Sequence, residues 1–263
     1  MLRFPGSEPV VFAHRGAHGP ERGQNSLSAI ERALEIGAAG VEIDVCSLGD
    51  GELVAAHDDW IRYGDCVVPF RDLLLTDLCR ISGREVLRIE AALGLFSDSD
   101  VMLCLDWKGA GDITAVGGLV ERYHLTDRTI VSSSEPAAVA RLKGRYPGLA
   151  AGLSLNGRGP HLHAAGAEAD RIVESVAGCA ADAAMLQHRL GSTEVLAALR
   201  AVGVGIFLWT AEDRAALESL WRRSPDGIMS DVVEDHRALR ARKPCAHRAV
   251  GLAPPQASGL RSA

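Results

Sequence analysis

Aromatic side chains are scarce in this 263-residue chain: five Phe, four Trp and three Tyr make up 5% of it. An excess of positive charge is also lacking, since 28 Lys and Arg stand against 34 Asp and Glu, for a formal charge of −6 and a pI near 5.8. That balance excludes a global positive field able to recruit nucleic acid or an anionic membrane, so a negatively charged ligand needs local cations. Long apolar runs are missing. Uninterrupted stretches stay under ten residues once Gly is set aside, against the ~18 or more of a membrane-spanning helix, so no integral membrane segment is expected. Met1 to Pro9 carries one basic residue and meets Pro5 and Gly6 before any apolar stretch forms, unlike a secretory signal. The six cysteines (Cys46, Cys66, Cys79, Cys104, Cys179, Cys245) show no CxxC or zinc-type spacing, and Cys46 and Cys104 lie in apolar runs. A reduced, cytoplasmic setting is the expectation.

What is present is globular: 47% apolar and 24% charged residues, in a length that suits one large domain. Short apolar runs alternate with longer amphipathic stretches almost throughout, the pattern of a parallel α/β fold. Candidate strands are 10–13, 40–45, 52–56, 101–105, 129–132, 150–155, 183–186, 204–209 and 227–229; the clearest helices are 26–36, 84–96, 136–146, 193–202 and 211–223. Nine strand candidates thus compete for the eight places of a (β/α)8 barrel, with a doubly wound open sheet as the alternative. Residues 58–83 break the rhythm and are expected as a short insertion near the barrel mouth. The barrel domain is expected over 8–240 and a mostly disordered tail over 241–263, where Pro244, Pro254 and Pro255 fall.

Four clusters follow candidate strands, at the barrel end where functional groups collect. The first is His14-Arg15-Gly16: a guanidinium for phosphate oxygens, an imidazole for protons, and a glycine for a tight exit turn. The second is Gly40-Val41-Glu42-Ile43-Asp44-Val45, where alternation puts Glu42 and Asp44 on one face and the three β-branched residues on the other. Two carboxylates on one buried face need a proton, a cation or a metal between them, and oxygen ligation favours Mg²⁺ or Ca²⁺. A half-exposed edge strand with a charged outer face is the ordinary alternative. His57-Asp58-Asp59 supplies a second imidazole, expected at the same rim. In Asp106-Trp107-Lys108 an acid and a base share a face, the acid suited to complete the carboxylate set and the base to hold a phosphate oxygen. His161-x-His163 reads as a loop or helix start, and His18, His124, His188, His236 and His247 show no partner.

These motifs resemble the glycerophosphodiester phosphodiesterase family in order: HRG at 14–16, GQNS at 23–26, GVEIDV at 40–45, DGELVAAHDD at 50–59, DWK at 106–108, Trp209-Thr210, and Asp226-Gly227-Ile228-Met229-Ser230-Asp231. The resemblance spans residues 10 to about 235. It implies a TIM-type barrel that hydrolyses glycerophosphodiesters to glycerol 3-phosphate and an alcohol. Glu42, Asp44 and Asp106 would hold a divalent cation, His14 and His57 would catalyse, Arg15 and Lys108 would contact the phosphate, and Trp209 would line the substrate pocket. Three departures stand out. Gln24 replaces a usual Glu, Asp106 replaces Glu, and Glu212 stands where Asn is common; a catalytically weak, ligand-binding barrel is the reading they motivate. Asp-x-Lys also resembles the sphingomyelinase D-like lyases, but the spacing of 28 between His14 and Glu42 (42 minus 14) suits the diesterases better.

Overall fold

The structure, a computed structural model, describes residues 8–156 and 168–235. The expectations for 241–263, Cys245, His161-x-His163, His236 and His247 lie outside the described residues. In chain order the strands are β1 (Val10–Ala13), β2 (Gly40–Ser47), β3 (Leu53–Ala55), β4 (Trp60–Tyr63), β5 (Cys66–Pro69), β6 (Met102–Trp107), β7 (Thr129–Ser133), β8 (Ala150–Leu155), β9 (Ala183–Gln187), β10 (Gly205–Ala211) and β11 (Gly227–Ser230). The helices are α1 (Leu27–Glu35), α2 (Leu75–Ser82), α3 (Ile89–Gly94), α4 (Thr114–Arg122), α5 (Pro136–Arg145), α6 (Glu168–Gly178), α7 (Thr193–Ala201) and α8 (Arg214–Arg222). Strands β1, β2 and β6 to β11 run parallel, and β1 pairs with both β2 and β11, so the sheet closes into an eight-stranded TIM-type barrel rather than an open doubly wound sheet.

The ninth strand candidate resolves differently from a barrel strand. β3 lies antiparallel to β2, with Val45 opposite Ala55 and Ser47 opposite Leu53. The reason is length: only residues 48–52 separate the two strands, whereas a parallel partner needs a crossover of about a dozen residues or more. Two helix expectations also shift. Residues before Ile89 stay extended, with Leu87 accepting the Ala55 N–H, so α3 is shorter than 84–96. α8 begins at Arg214 because Ala211 belongs to β10 and the Asp213 side chain caps the Ala216 N–H. Ser26 caps α1, accepting from Ala29, and Gly37 ends it at a positive φ of 64°.

Alternation along each strand sorts the core into layers. Val41, Ile43, Val45, Leu103, Leu105 and Val131 are buried against the helices, while Phe12, Cys104, Ile130, Met185, Phe207 and Met229 fill the lumen. At the floor the Phe12 and Phe207 rings meet at 5.9 Å between centroids, tilted by 55°. They fit because two neighbours lack side chains: a Cβ at Gly40 would come to 2.5 Å from the Phe12 ring, and one at Gly227 to 2.4 Å from that of Phe207. Gly227→Ala is therefore expected to destabilise the barrel by about 1 to 3 kcal/mol through overpacking. A thermal melt checks this, and an unchanged Tm would show that the rings move aside freely.

Above the floor the lumen turns polar. Beside its mouth the 58–83 insertion forms the β4–β5 hairpin and α2, which close a small separate core around Cys46, Leu48, Val54, Phe70, Leu73 and Leu78. Burial, with Asp59 and Asp44 nearby, pushes the Cys46 thiol up to about 12, so it packs as a small hydrophobe. No helix among the described residues is long and apolar enough to cross a membrane.

Candidate active site

β1 delivers His14 to the rim, where its N–H bonds the Ser230 carbonyl at 3.0 Å. The chain then turns at Gly16, whose φ is +80° and whose would-be Cβ lies 2.7 Å from the Ala29 backbone, so no other residue fits without displacing α1. Arg15 and Asn25 adopt left-handed conformations at φ 58° and 55°. The Arg15 backbone N–H donates to Glu42 Oε2 at 2.8 Å. The Asn25 amide donates to Asp44 Oδ2 at 2.8 Å, and its Oδ1 accepts the Asp44 N–H at 3.0 Å.

Glu42 and Asp44 point into the lumen and are 3% and 1% exposed. Strand register sets Asp44 beside Asp106 on β6, and carboxylate oxygens of Glu42, Asp44 and Asp106 lie within 4.8 Å of one another. Cations meet them. Lys108 Nζ bonds Asp106 and lies 3.2 Å from Asp44 Oδ1, and Arg15 Nε lies 3.0 Å from Asp44 Oδ2. Ser132 Oγ on β7 donates to Asp106 Oδ1 at 2.6 Å.

The electrostatics divide the acids. Burial, then the nearby charges of Asp44 and Asp106, pushes the Glu42 carboxyl well above the usual range. Burial acts upward on Asp44 too, but Lys108, Arg15 and the Asn25 hydrogen bond outweigh it and hold Asp44 low. Burial pulls Lys108 down, yet Asp106 and Asp44 outweigh that and hold it protonated above its ordinary value. Asp44 Oδ1 is buried without a hydrogen bond, its charge met only by the Lys108 ammonium. An all-oxygen set with such an acceptor fits a hard divalent cation of the Mg²⁺ or Ca²⁺ kind.

His14 Nδ1 lies 2.7 Å from Asp231 Oδ1, just beyond β11, and its Nε2 lies 4.0 Å from Glu42. Burial acts upward on Asp231, but hydrogen bonds from His14 and His18 hold it below the usual range, so it accepts as a carboxylate. His57 reaches the site by a route other than the expected one. It does not follow a barrel strand: β3 runs back down along β2, Ala56 N–H bonds the Asp44 carbonyl at 3.2 Å, and His57 emerges beside the acids. Its Nδ1 lies 2.9 Å from Asp58 Oδ1, and its side chain is 47% exposed. Both imidazoles line one cavity of about 340 Å³, whose wall also includes Arg15, Glu42, Asp106, Lys108 and Trp209. Trp209 Nε1 donates to the Met185 carbonyl at 3.0 Å, which fixes the ring at the mouth.

Every expected site residue therefore falls in or against this cavity. The sequence did not disclose the supports. Asn25 and Asp231 appeared only inside motifs, without a role, and Ser132 carried no signal. His18 is a correction: it has a partner, its Nε2 lying 3.1 Å from Asp231 Oδ1. The departures at the site are accommodated. Gln24 Oε1 accepts from Arg15 Nη1 at 2.7 Å, Asp106 reaches the other acids despite its shorter side chain, and Glu212 is exposed, outside the cavity wall.

The model of the glycerophosphoryl diester phosphodiesterase family matches residues 14–92. A glycerophosphodiester phosphodiesterase of Caldanaerobacter subterraneus subsp. tengcongensis is 26% identical over 250 residues, covering 86% of this chain and 95% of the relative. Among solved structures, a phosphodiesterase of Oleispira antarctica in complex with its product sn-glycerol-3-phosphate superposes with a TM-score of 0.72 at 21% identity, over 89% of this chain and 97% of the other. A glycerophosphodiester phosphodiesterase of Thermotoga maritima gives 0.69 at 24% identity, over 88% and 98%. At these identities the structural likenesses speak to the fold.

Proposed function

We propose that the chain, which resembles the glycerophosphoryl diester phosphodiesterase family over residues 14–92 and a curated member over 86% of its length, hydrolyses glycerophosphodiesters to glycerol 3-phosphate and an alcohol. The observation that carries this reading is one cavity lined by two imidazoles, an arginine, a lysine and the carboxylates of Glu42 and Asp106, which cluster with the buried Asp44. A divalent cation held by Glu42, Asp44 and Asp106 would supply positive charge opposite the phosphodiester oxygens. The Lys108 ammonium and the Arg15 guanidinium, both in the cavity wall, bind the phosphate. His14 and His57 divide the proton work: one takes the proton of the attacking oxygen, the other protonates the departing alkoxide. Asp231 holds His14 through Nδ1 and leaves Nε2 for that task. Trp209 lines the side of the pocket that takes the organic part of the substrate. The catalytic unit is the barrel of residues 8–240, working in the cytoplasm, where the five described cysteines, all free, stay reduced.

The deciding assay is release of glycerol 3-phosphate from glycerophosphocholine and glycerophosphoethanolamine, with Mg²⁺ or Ca²⁺ and with EDTA. Metal-dependent release supports the reading. Folded protein without turnover under any metal overturns it, and a cyclic phosphate as final product would reassign the chain to the lyase-type reaction.

The raised pKa of Glu42 carries a stability prediction. A carboxyl whose folded-state pKa is raised stabilises the fold below its unfolded pKa, and that contribution is lost as pH rises through the folded value. Glu42→Gln should therefore raise the Tm measured in EDTA near neutral pH, with the gain shrinking as pH falls and the native side chain takes up its proton. The same variant should lose the rise in Tm that Mg²⁺ or Ca²⁺ gives the native protein. A lower Tm in EDTA at neutral pH would show that Glu42 is not a source of strain.

A further inference from the structure

A second convergence of metal-ligating atoms stands at the same rim, apart from the three-carboxylate cluster. His14 Nδ1 lies 2.7 Å and His18 Nε2 3.1 Å from the same oxygen of Asp231, and all three ligand atoms fall within 4.8 Å of one another. The fold builds this group from two segments. The tight turn through Arg15 and Gly16 brings His18 back beside His14, and β11 ends one residue before Asp231, paired in register with β1. The side chains of His14, His18 and Asp231 are 16%, 17% and 26% exposed, so an ion reaches them without any opening of the barrel.

We propose that His14, His18 and Asp231 form a second cation site, selective for a borderline transition ion such as Zn²⁺, and that its occupation inhibits the enzyme. Two imidazole nitrogens and one carboxylate suit Zn²⁺, Co²⁺ or Ni²⁺, while Mg²⁺ and Ca²⁺ prefer the all-oxygen cluster beside it. The pocket thus presents two sites of different softness joined by one side chain, His14. Distances are favourable. A tetrahedral Zn²⁺ with ligands at ~2.0 to 2.1 Å holds its donor atoms about 3.3 Å apart. The present separations of 2.7 and 3.1 Å to Asp231 need to widen by about 0.6 and 0.2 Å, and the two nitrogens already lie within 4.8 Å of each other. On the far side of the ring Glu42 lies 4.0 Å from Nε2, placing a carboxylate where metal-bound histidines commonly have one.

The inhibition follows from the protons. Neutral His14 has one ring proton, and its hydrogen bond to Asp231 keeps that proton on Nδ1 and leaves a lone pair on Nε2, facing the cavity. An ion on Nδ1 displaces the proton to Nε2, next to Glu42. The ring then has no lone pair with which to accept a proton and, as a metal-bound neutral imidazole, is a poor proton donor. Either role proposed for His14 is blocked. This consequence rests on the proposed catalytic role of His14; the binding itself does not.

The test titrates Co²⁺ into the intact protein with Ca²⁺ in excess, following visible d–d absorption, and then displaces Co²⁺ with Zn²⁺. One Co²⁺ per chain is expected. His18→Gln, which keeps an N–H to donate to Asp231, should weaken Co²⁺ binding on the order of tenfold or more, since even outer partners of a metal ligand contribute 10- to 100-fold. In the glycerol 3-phosphate assay Zn²⁺ should lower kcat with KM unchanged, and excess Mg²⁺ should not relieve it. Equal Co²⁺ affinity in wild type and His18→Gln, or relief of Zn²⁺ inhibition by Mg²⁺, overturns the proposal. Should His18→Gln fail to fold, His18→Asn serves in its place. If the protein shows no diesterase turnover at all, the Co²⁺ titration still decides whether the site exists, so the two failures are told apart.

Discussion

His14→Ala is expected to lower kcat by about 10²- to 10⁴-fold while KM changes little, because it removes a group that moves a proton in the transition state rather than one that binds substrate. His57→Ala is expected in the same range by the same argument. The surroundings of the two rings differ, and the difference is measurable. His14 is largely buried and held by Asp231, 217 residues away in the chain, whereas His57 is half-exposed and held by its own neighbour Asp58. Asp231→Asn should therefore reproduce part of the His14→Ala loss, since an amide in place of the carboxylate no longer fixes the ring with Nε2 free. Asp58→Asn should cost less, because solvent can satisfy an exposed imidazole. Steady-state kinetics on the four variants, with folding checked by circular dichroism, reads all of this. Near-native turnover in His14→Ala or in His57→Ala removes that residue from the mechanism.

Much of this arrangement was legible in the chain before any coordinates. The two-residue period of GVEIDV separates Glu42 and Asp44 from Val41, Ile43 and Val45, and the barrel keeps that separation, acids in the lumen and aliphatics under the helices. The rule that function collects at strand ends located His14, Asp106 and Lys108. For His57 the rule reached the right place by the wrong path: it ignored strand direction, which the five-residue link before β3 had already decided. What stayed hidden was of two kinds. Asn25 spends its side chain on a strand 19 residues away, so a local reading of GQNS gave it no role. Asp231 and His18 become partners only when β11 pairs with β1, and no local pattern reports that a barrel has closed.

Asp44→Asn should abolish cation binding and lower kcat by about 10³-fold or more, the equivalent of the several kcal/mol a metal supplies against transition-state charge. Three features single out this acid. It is the most deeply buried of the three carboxylates, and it faces both cations of the site, Arg15 through Oδ2 and Lys108 through Oδ1. Lys108, Arg15 and Asn25 also hold it ionised well below neutral pH, while burial keeps Glu42 close to accepting a proton. Of the pair, Asp44 is the acid whose surroundings favour the ionised form, so its neutralisation removes the charge that draws a cation in. Two cations then face each other with less between them, and the fold itself should weaken, because breaking a buried ion pair from one side leaves the partner uncompensated. Calorimetric titration with Mg²⁺ and Ca²⁺, alongside turnover, separates these effects. Lost activity with cation affinity retained would reduce Asp44 to a counter-ion for Lys108 and Arg15, and the metal would then have to rest on Glu42 and Asp106 alone.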